Sequence, residues 1–203
     1  MYSHALVLFV FLHLFSPLVK AVHDEEVTSR SADVEDQVIK WRRHFHEYPE
    51  LSNREFETSK FIAKELKRLG FSVEEGVGKT GVVGVLRGSH PGKVLALRAD
   101  MDALPVAEMT QLPYASKVIG EYEGQSVGVM HACGHDNHMA ILLGAAEVLS
   151  GFQDRLKGQI KFIFQPAEEG PPKGETGGAS LMIEEGVLKD PDASAIFGLH
   201  ISQ

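Results

Sequence analysis

Apolar positions recur along the chain with two different periods. Val34, Val38, Trp41 and Phe45 lie three or four apart, which predicts one buried helical face ending before Pro49. Ser52-Asn53-Arg54-Glu55 reads as a capping box, with Ser52 accepting from the Glu55 amide and Glu55 reaching back. The helix it opens carries Phe56, Ser59, Ile62, Leu66 and Leu69 on one stripe, and Gly70 stands where a left-handed residue closes a helix. Residues 71–73, 81–86 and 93–98 read as strands. Within the last, Val94-Leu95-Ala96-Leu97 is continuously apolar, as in a strand covered on both faces. A helix is predicted over 136–149, a strand over 159–165, a short helix over 179–188 and a last strand over 195–200. Alternation of strands and helices predicts an α/β fold, a mostly parallel sheet sandwiched by helices. No internal repeat or low-complexity tract interrupts it; residues 170–178, GPPKGETGG, form a Gly/Pro-rich loop.

The first 21 residues follow neither period. MYSHALVLFVFLHLFSPLVKA has an apolar stretch over 5–18 broken only by His13, Ser16 and Pro17, and ends on Val19-Lys20-Ala21. It reads as a secretory signal peptide cut after Ala21. The competing reading, an uncleaved anchor, wants about 18 unbroken apolar residues. The expected location is the secretory pathway, secreted or in the endoplasmic reticulum lumen, with no membrane attachment after cleavage. Residues 22–37 are polar and read as a loose arm before the globular part, 38–203.

Composition narrows the function classes. The 203 residues carry a formal net charge of −8, with 43% hydrophobic and 24% charged positions, a globular composition long enough for a sizeable core. The acidic balance argues against a nucleic-acid partner, which needs cations to meet phosphates. A single cysteine, Cys133, excludes an internal disulfide framework and CxxC-type zinc or redox motifs.

The remaining signal is where the reactive side chains fall. Arg98-Ala99-Asp100-Met101-Asp102 follows an apolar strand. His131-Ala132-Cys133-Gly134-His135-Asp136-Asn137-His138 precedes a helix. Glu168-Glu169 and His200 follow two further strands. Ligands bind beyond the carboxyl ends of strands in open α/β sheets. Cys133 and His135, two apart in an irregular segment, can face one metal centre, and thiolate, imidazole and carboxylate suit zinc and related ions. Singly, each has a bland reading: the cysteine a small buried hydrophobe, His200 a hydrogen-bonded loop residue, the paired acids a solvated patch. Their combination favours the metal. A rival chemistry makes Cys133 a nucleophile with His135 or His131 as base and a thiol pKa lowered by the helix start. A histidine two residues away rarely has dyad geometry, and the two glutamates would go unused. His44 and His46 read as surface or packing residues.

RADMDALP (98–105), MHACGHDNH (130–138), FQPAEEG (164–170) and GLH (198–200), in this order, resemble the metal-dependent amidohydrolases. HFHEYPELS (44–52) and KTGVVGVL (79–86) share the likeness, which covers 38–203. The family includes hippurate, N-acyl-amino-acid and indole-3-acetyl-amino-acid hydrolases, related to aminoacylase and zinc carboxypeptidases. The resemblance implies the N-terminal part of a zinc-peptidase-like catalytic domain that holds two divalent ions, manganese or zinc with cobalt possible. Position by position it implies Cys133, His135, Glu169 and His200 as metal ligands and Glu168 as general base. Asp102 would orient a ligand, with Asp100 the weaker candidate. The implied reaction is hydrolysis of the amide bond of a small N-acyl amino acid by metal-activated water, in a full-length protein that can form a homodimer. The family's lid or dimerisation domain and its last histidine ligand lie beyond Gln203. The chain thus reads as an N-terminal fragment or truncated gene product, and the alternative is a non-catalytic fragment or pseudoenzyme that keeps part of the metal site.

Overall fold

The computed structural model describes residues 22–201; the expected signal segment, 1–21, lies outside them. The elements in chain order are α1 (Val22–Asp33), α2 (Glu35–Glu47), α3 (Phe56–Arg68), β1 (Ser72–Val77), β2 (Gly81–Arg87), β3 (His90–Asp100), β4 (Ile119–Tyr122), β5 (Gln125–Gly128), α4 (His135–Ser150), β6 (Lys157–Gln165), α5 (Gly178–Glu184) and β7 (Ala195–Gly198). Among these, no helix is long and apolar enough to cross a membrane.

Five strands form one sheet in the order β1-β2-β6-β3-β7. The expected α/β sandwich is present, with a mixed rather than mostly parallel sheet. β6–β3 and β3–β7 are parallel, while β1–β2 and β2–β6 are antiparallel. The reason lies in the connections. Only a short turn, Gly78-Lys79-Thr80, joins β1 to β2, and a link that short permits only antiparallel pairing. Parallel pairing needs a crossover, which α4 supplies between β3 and β6, and α5 between β6 and β7.

Alternating residues feed two cores. Val82, Leu86, Ile160, Phe162 and Phe164 pack with Trp41 and Phe45 of α2, Ile62 and Leu66 of α3, and Met139 and Leu143 of α4. From the opposite face Val83, Ala96 and Ile163 meet Val77, Met182 of α5 and Val187. Lys161 is also buried there, its ammonium donating to the Val187 and Lys189 carbonyls at 2.8 and 2.7 Å. β7 is one of the sheet's two edge strands, with Ile196 and Phe197 exposed. It stops at Gly198, so His200 sits in the segment after it.

Two local expectations are corrected, and one element is new. The loose arm is helical over Val22–Asp33: Glu26 pairs with Arg30 one turn on and accepts two bonds from Arg155, at 2.8 and 2.9 Å. Its polar sequence hides this because the partner lies 129 residues away. The capping box is not formed. Ser52 Oγ donates to Asp102 at 2.6 Å, Glu55 turns into the core, and Glu50 takes the Glu57 and Thr58 amides at 3.2 and 2.8 Å. Burial explains the exchange, since Ser52 and Glu55 are enclosed and serve long-range partners. Finally, β4 and β5 form a hairpin, turned at Glu123-Gly124 with both φ positive, that the sequence reading did not anticipate. Gly70, by contrast, closes α3 at φ +85, with its amide and that of Phe71 on the Lys67 and Leu66 carbonyls.

Glu50→Ala is expected to cost about 1 kcal/mol, the usual loss for a helix cap, read as a lower urea midpoint.

Candidate metal centre

Parallel pairing gathers the reactive residues. β6, β3 and β7 run side by side in one direction, with Asp100 opposite Gln165 and Arg98 opposite Gly198. Their carboxyl ends therefore share one rim, where ligands bind in open α/β sheets. Asp102 follows β3, Glu168-Glu169 follow β6, His200 follows β7, and α4 starts at the same rim with His135.

Cys133, His135 and Glu169 each bring one ligand atom to within 4.8 Å of the others. Gly134 between the first two has φ +93, a conformation that suits glycine, and its turn into α4 lets the flanking side chains reach one point. His135 is fully buried, with Nδ1 2.7 Å from the Asp102 carbonyl oxygen. A carbonyl only accepts, so Nδ1 carries the proton and Nε2 a lone pair. That Nε2 is buried without a hydrogen-bond partner. It lies 3.5 Å from Glu168 Oε2, 3.7 Å from Glu169 Oε1 and 3.7 Å from Asp100 Oδ1. A lone pair facing three carboxylates is repulsive until a cation enters, and thiol, imidazole and carboxylate are the donors a divalent ion of the zinc class takes. Burial works against the charged form of His135, but hydrogen bonding to Asp102 and the charges of Asp100 and Asp102 outweigh it and raise its pKa.

A second group shares His135. Ligand atoms of Asp100, His135, His138 and His200 also lie within 4.8 Å of one another. His200 Nδ1 donates to the Ile201 carbonyl at 2.7 Å, which leaves Nε2 unprotonated, 3.8 Å from Asp100 Oδ2. His138 differs. Its Nε2 accepts from the Ile201 amide at 2.9 Å, so Nδ1 holds the proton and donates to Asp100 Oδ1 at 2.6 Å. With both nitrogens engaged, His138 clips the His200 segment to Asp100 rather than offering a lone pair. The structure thus joins Cys133, His135 and Glu169 in one group and places His200 in the other.

Asp102 organises the backbone. Its Oδ1 accepts from the Glu168 amide at 2.9 Å, and Oδ2 from the Glu169 amide at 3.1 Å and Ser52 Oγ at 2.6 Å. Burial pushes this carboxyl up, but bonds from His135, Ser52 and the two amides outweigh it and hold it below its ordinary value. The Glu168 and Glu169 side chains stay reachable, 33% and 23% exposed.

Two residues matter more than their sequence signal suggested. Asp100, the weaker candidate, is fully buried between Arg98, His138 and His135. His138 had no role, although three residues beyond His135 on a helix it falls on the same face. His46 is buried and hydrogen-bonded, with Nδ1 2.8 Å from Asp136 and Nε2 3.2 Å from Glu108. The nucleophile alternative, already set aside on the sequence, gains no support: burial pushes the Cys133 thiol up to about 11, with Glu169, Glu168 and Asp100 adding to the effect. An activated nucleophile needs the opposite shift.

The sequence profile of peptidase family M20/M25/M40 matches residues 96–203. Thermostable carboxypeptidase 1 of Saccharolobus solfataricus is 53% identical over 179 residues, covering 88% of this chain and 42% of that protein. The N-acetyl-L-cysteine deacetylase of Bacillus subtilis is 50% identical over 167 residues, covering 82% and 36%. Among solved structures, a Bacillus subtilis protein described as a dinuclear metal-binding peptidase of the M20 family superposes with a TM-score of 0.71 at 42% identity, covering 86% of this chain and 44% of that one. The chain spans about two fifths of the length of these relatives.

Cys133→Ala and His135→Ala should each lower bound metal, measured by elemental analysis after dialysis against zinc or manganese; unchanged stoichiometry contradicts the site. Because the thiol is protonated at neutral pH, metal uptake should release a proton from Cys133, and affinity should rise about tenfold per pH unit on that account. Calorimetry in buffers of different ionisation enthalpy measures the release, and Cys133→Ala should remove that proton.

Proposed function

The chain belongs to peptidase family M20/M25/M40, and we propose that it carries most of the metal centre of an amidohydrolase acting on N-acyl amino acids. Cys133, His135 and Glu169 would hold one divalent ion and His200 would serve a second, with zinc, manganese or cobalt compatible with the donors. The observation that carries the reading is the buried, unpartnered Nε2 of His135 facing Glu168, Glu169 and Asp100.

When bound, the ions would supply Lewis-acid polarisation of the amide carbonyl and acidify water at the site. The chain's own residues divide the remaining work. Glu169 coordinates. Glu168 stands beside it with a carboxylate open to solvent, placed to take a proton from water and return it to the leaving amine. Asp102 holds His135 through its carbonyl and both glutamates through their amides. His138 and Asp100 fix the approach of His200.

The substrate class rests on the named activity of the Bacillus subtilis deacetylase, on the family's amidohydrolase members, and on a rim that offers carboxylates for proton transfer rather than a nucleophile. We place the protein in the secretory pathway on the strength of residues 1–21. A shortened mature N-terminus starting after Ala21, found by mass spectrometry of the expressed protein, tests that placement.

Glu168→Gln, in the chain expressed with whatever follows Gln203 in its reading frame, should keep its metal and lose about 10²–10⁴-fold in turnover of N-acyl amino acids. Normal turnover in that variant would remove Glu168 from the base role.

A further inference from the structure

Three successive backbone amides, those of Ala167, Glu168 and Glu169, are each taken by an oxygen of a buried carboxylate. Asp102 takes the second and third. The first belongs to Glu55, whose Oε1 accepts from the Ala167 amide at 2.9 Å. Glu55 is wholly inaccessible to solvent, and its other oxygen accepts from Thr80 Oγ1 at 2.6 Å. It comes from the start of α3, 112 residues before Ala167.

Helix stability does not account for this carboxylate. Glu55 occupies the N-cap position of α3 yet makes no side-chain cap bond, while Glu50 covers the first-turn amides. Its partners lie instead at the β1–β2 turn and at the turn that presents the two catalytic-rim glutamates. Ala167 needs such a partner. It is 3% exposed and stands at φ +48, a left-handed conformation that an alanine keeps only when its surroundings over-determine it. Without Glu55, the Ala167 amide would be a buried donor with nothing to bond. Relaxation of that one residue would swing the chain immediately before Glu168 and Glu169.

We infer that Glu55 is a positioning residue of the metal centre: by fixing the Ala167 amide it sets where the Glu168 and Glu169 carboxylates stand relative to His135 and Cys133. The inference rests on the reading of Cys133, His135 and Glu169 as a metal site. Glu55 itself touches neither metal nor substrate.

The test uses cobalt(II) alone on the 203-residue chain. The charge-transfer band of a cobalt-bound Cys133 thiolate reports occupancy, and the d–d bands report ligand geometry. Glu55→Met should weaken cobalt binding about tenfold or more, the usual range for partners that hold metal ligands in place, and should change the d–d bands while the thiolate band persists. Glu55→Gln should bind within about twofold of wild type, because an amide oxygen still accepts from Ala167 and the amide NH₂ can donate to Thr80. Thr80→Val should lower Tm and leave the cobalt spectrum as it was, which separates loss of a buried hydrogen bond from loss of positioning. Should Glu55→Met fail to fold, Glu55→Asp, too short to reach both partners, carries the same expectation. A folded Glu55→Met or Glu55→Asp chain with wild-type affinity and spectrum overturns the inference. A wild-type chain with no cobalt–thiolate band overturns the metal reading and the inference together.

Discussion

The parallel ladder β6–β3–β7 is the constraint from which the site follows. Leu97 of β3 lies opposite Phe162 of β6 and Phe197 of β7. Side chains alternate between faces with a period of two, so a one-residue slip would exchange the residues serving the two cores. On β6 that would send buried Phe162 and Phe164 to the α5 side and Lys161 into the larger apolar core. Burial on both faces therefore pins the register of β6 and β3, and the exposed β7 takes its place from its ladder with β3. Once the register is pinned, the carboxyl ends of three strands arrive at one rim, and the residues just beyond them meet without further instruction. The antiparallel half of the sheet enlarges the core and supplies the turn that carries Thr80.

The rim concentrates negative charge, and its tolerance of that charge is informative. Asp100 and Asp102 are buried, and Glu168 and Glu169 stand near the same imidazole. A buried carboxylate is costly unless its oxygens are hydrogen-bonded. Asp102 is compensated by two amides and a hydroxyl. Asp100 has the Arg98 guanidinium at 2.6 Å and the His138 ring at 2.6 Å. Glu168 and Glu169 also face His135 Nε2, at 3.5 and 3.7 Å, and neither has a lysine or arginine partner among the described residues. Fixed donors thus neutralise the acids that shape the site, while the two glutamates are open to a cation. The raised pKa of His135 expresses the same imbalance, with a proton competing for the place a metal would take.

Much of this was legible in the residues. The 3.6-residue period marked α2 and α3, a run rich in Ala, Leu and Met marked α4, and the uninterrupted run Val94–Leu97 marked a strand covered on both sides. Cys133, His135 and the glutamate pair stood out by chemistry, although one-dimensional order could not show that they converge. What stayed hidden depends on distant partners. Ser52 and Glu55 match a capping pattern perfectly well, yet each has a stronger claim elsewhere in the fold, from Asp102 and from the Ala167 amide. α1 looks like a polar arm until Arg155 is brought against Glu26. The β4–β5 hairpin rests on Glu123-Gly124, whose positive φ values suit a tight hairpin turn, but its four-residue strands carry little apolar alternation to announce them. Asp100 and His138 were visible as residue types, but which one binds and which one clips depends on hydrogen-bond direction, and that appears only once Ile201 is in place.

A division between rigid backbone and free side chain explains why adjacent glutamates can do different work. Proton transfer requires a carboxylate that first accepts from water and later donates to an amine, so its tip must be able to turn. Metal coordination requires the reverse, an oxygen held at a fixed point. Two neighbouring residues satisfy both demands if their main chain is fixed and their side chains see different surroundings. The 167–169 turn meets that condition, with its amides held by Glu55 and Asp102. Glu169 then reaches into the group with Cys133 and His135, where its oxygen lies among potential ligands. Glu168 has His135 Nε2 at 3.5 Å on one side and a third of its side chain open to solvent. Moving the burial cost onto Glu55 and Asp102, two acids that never meet the substrate in this reading, leaves Glu168 both placed and free to turn.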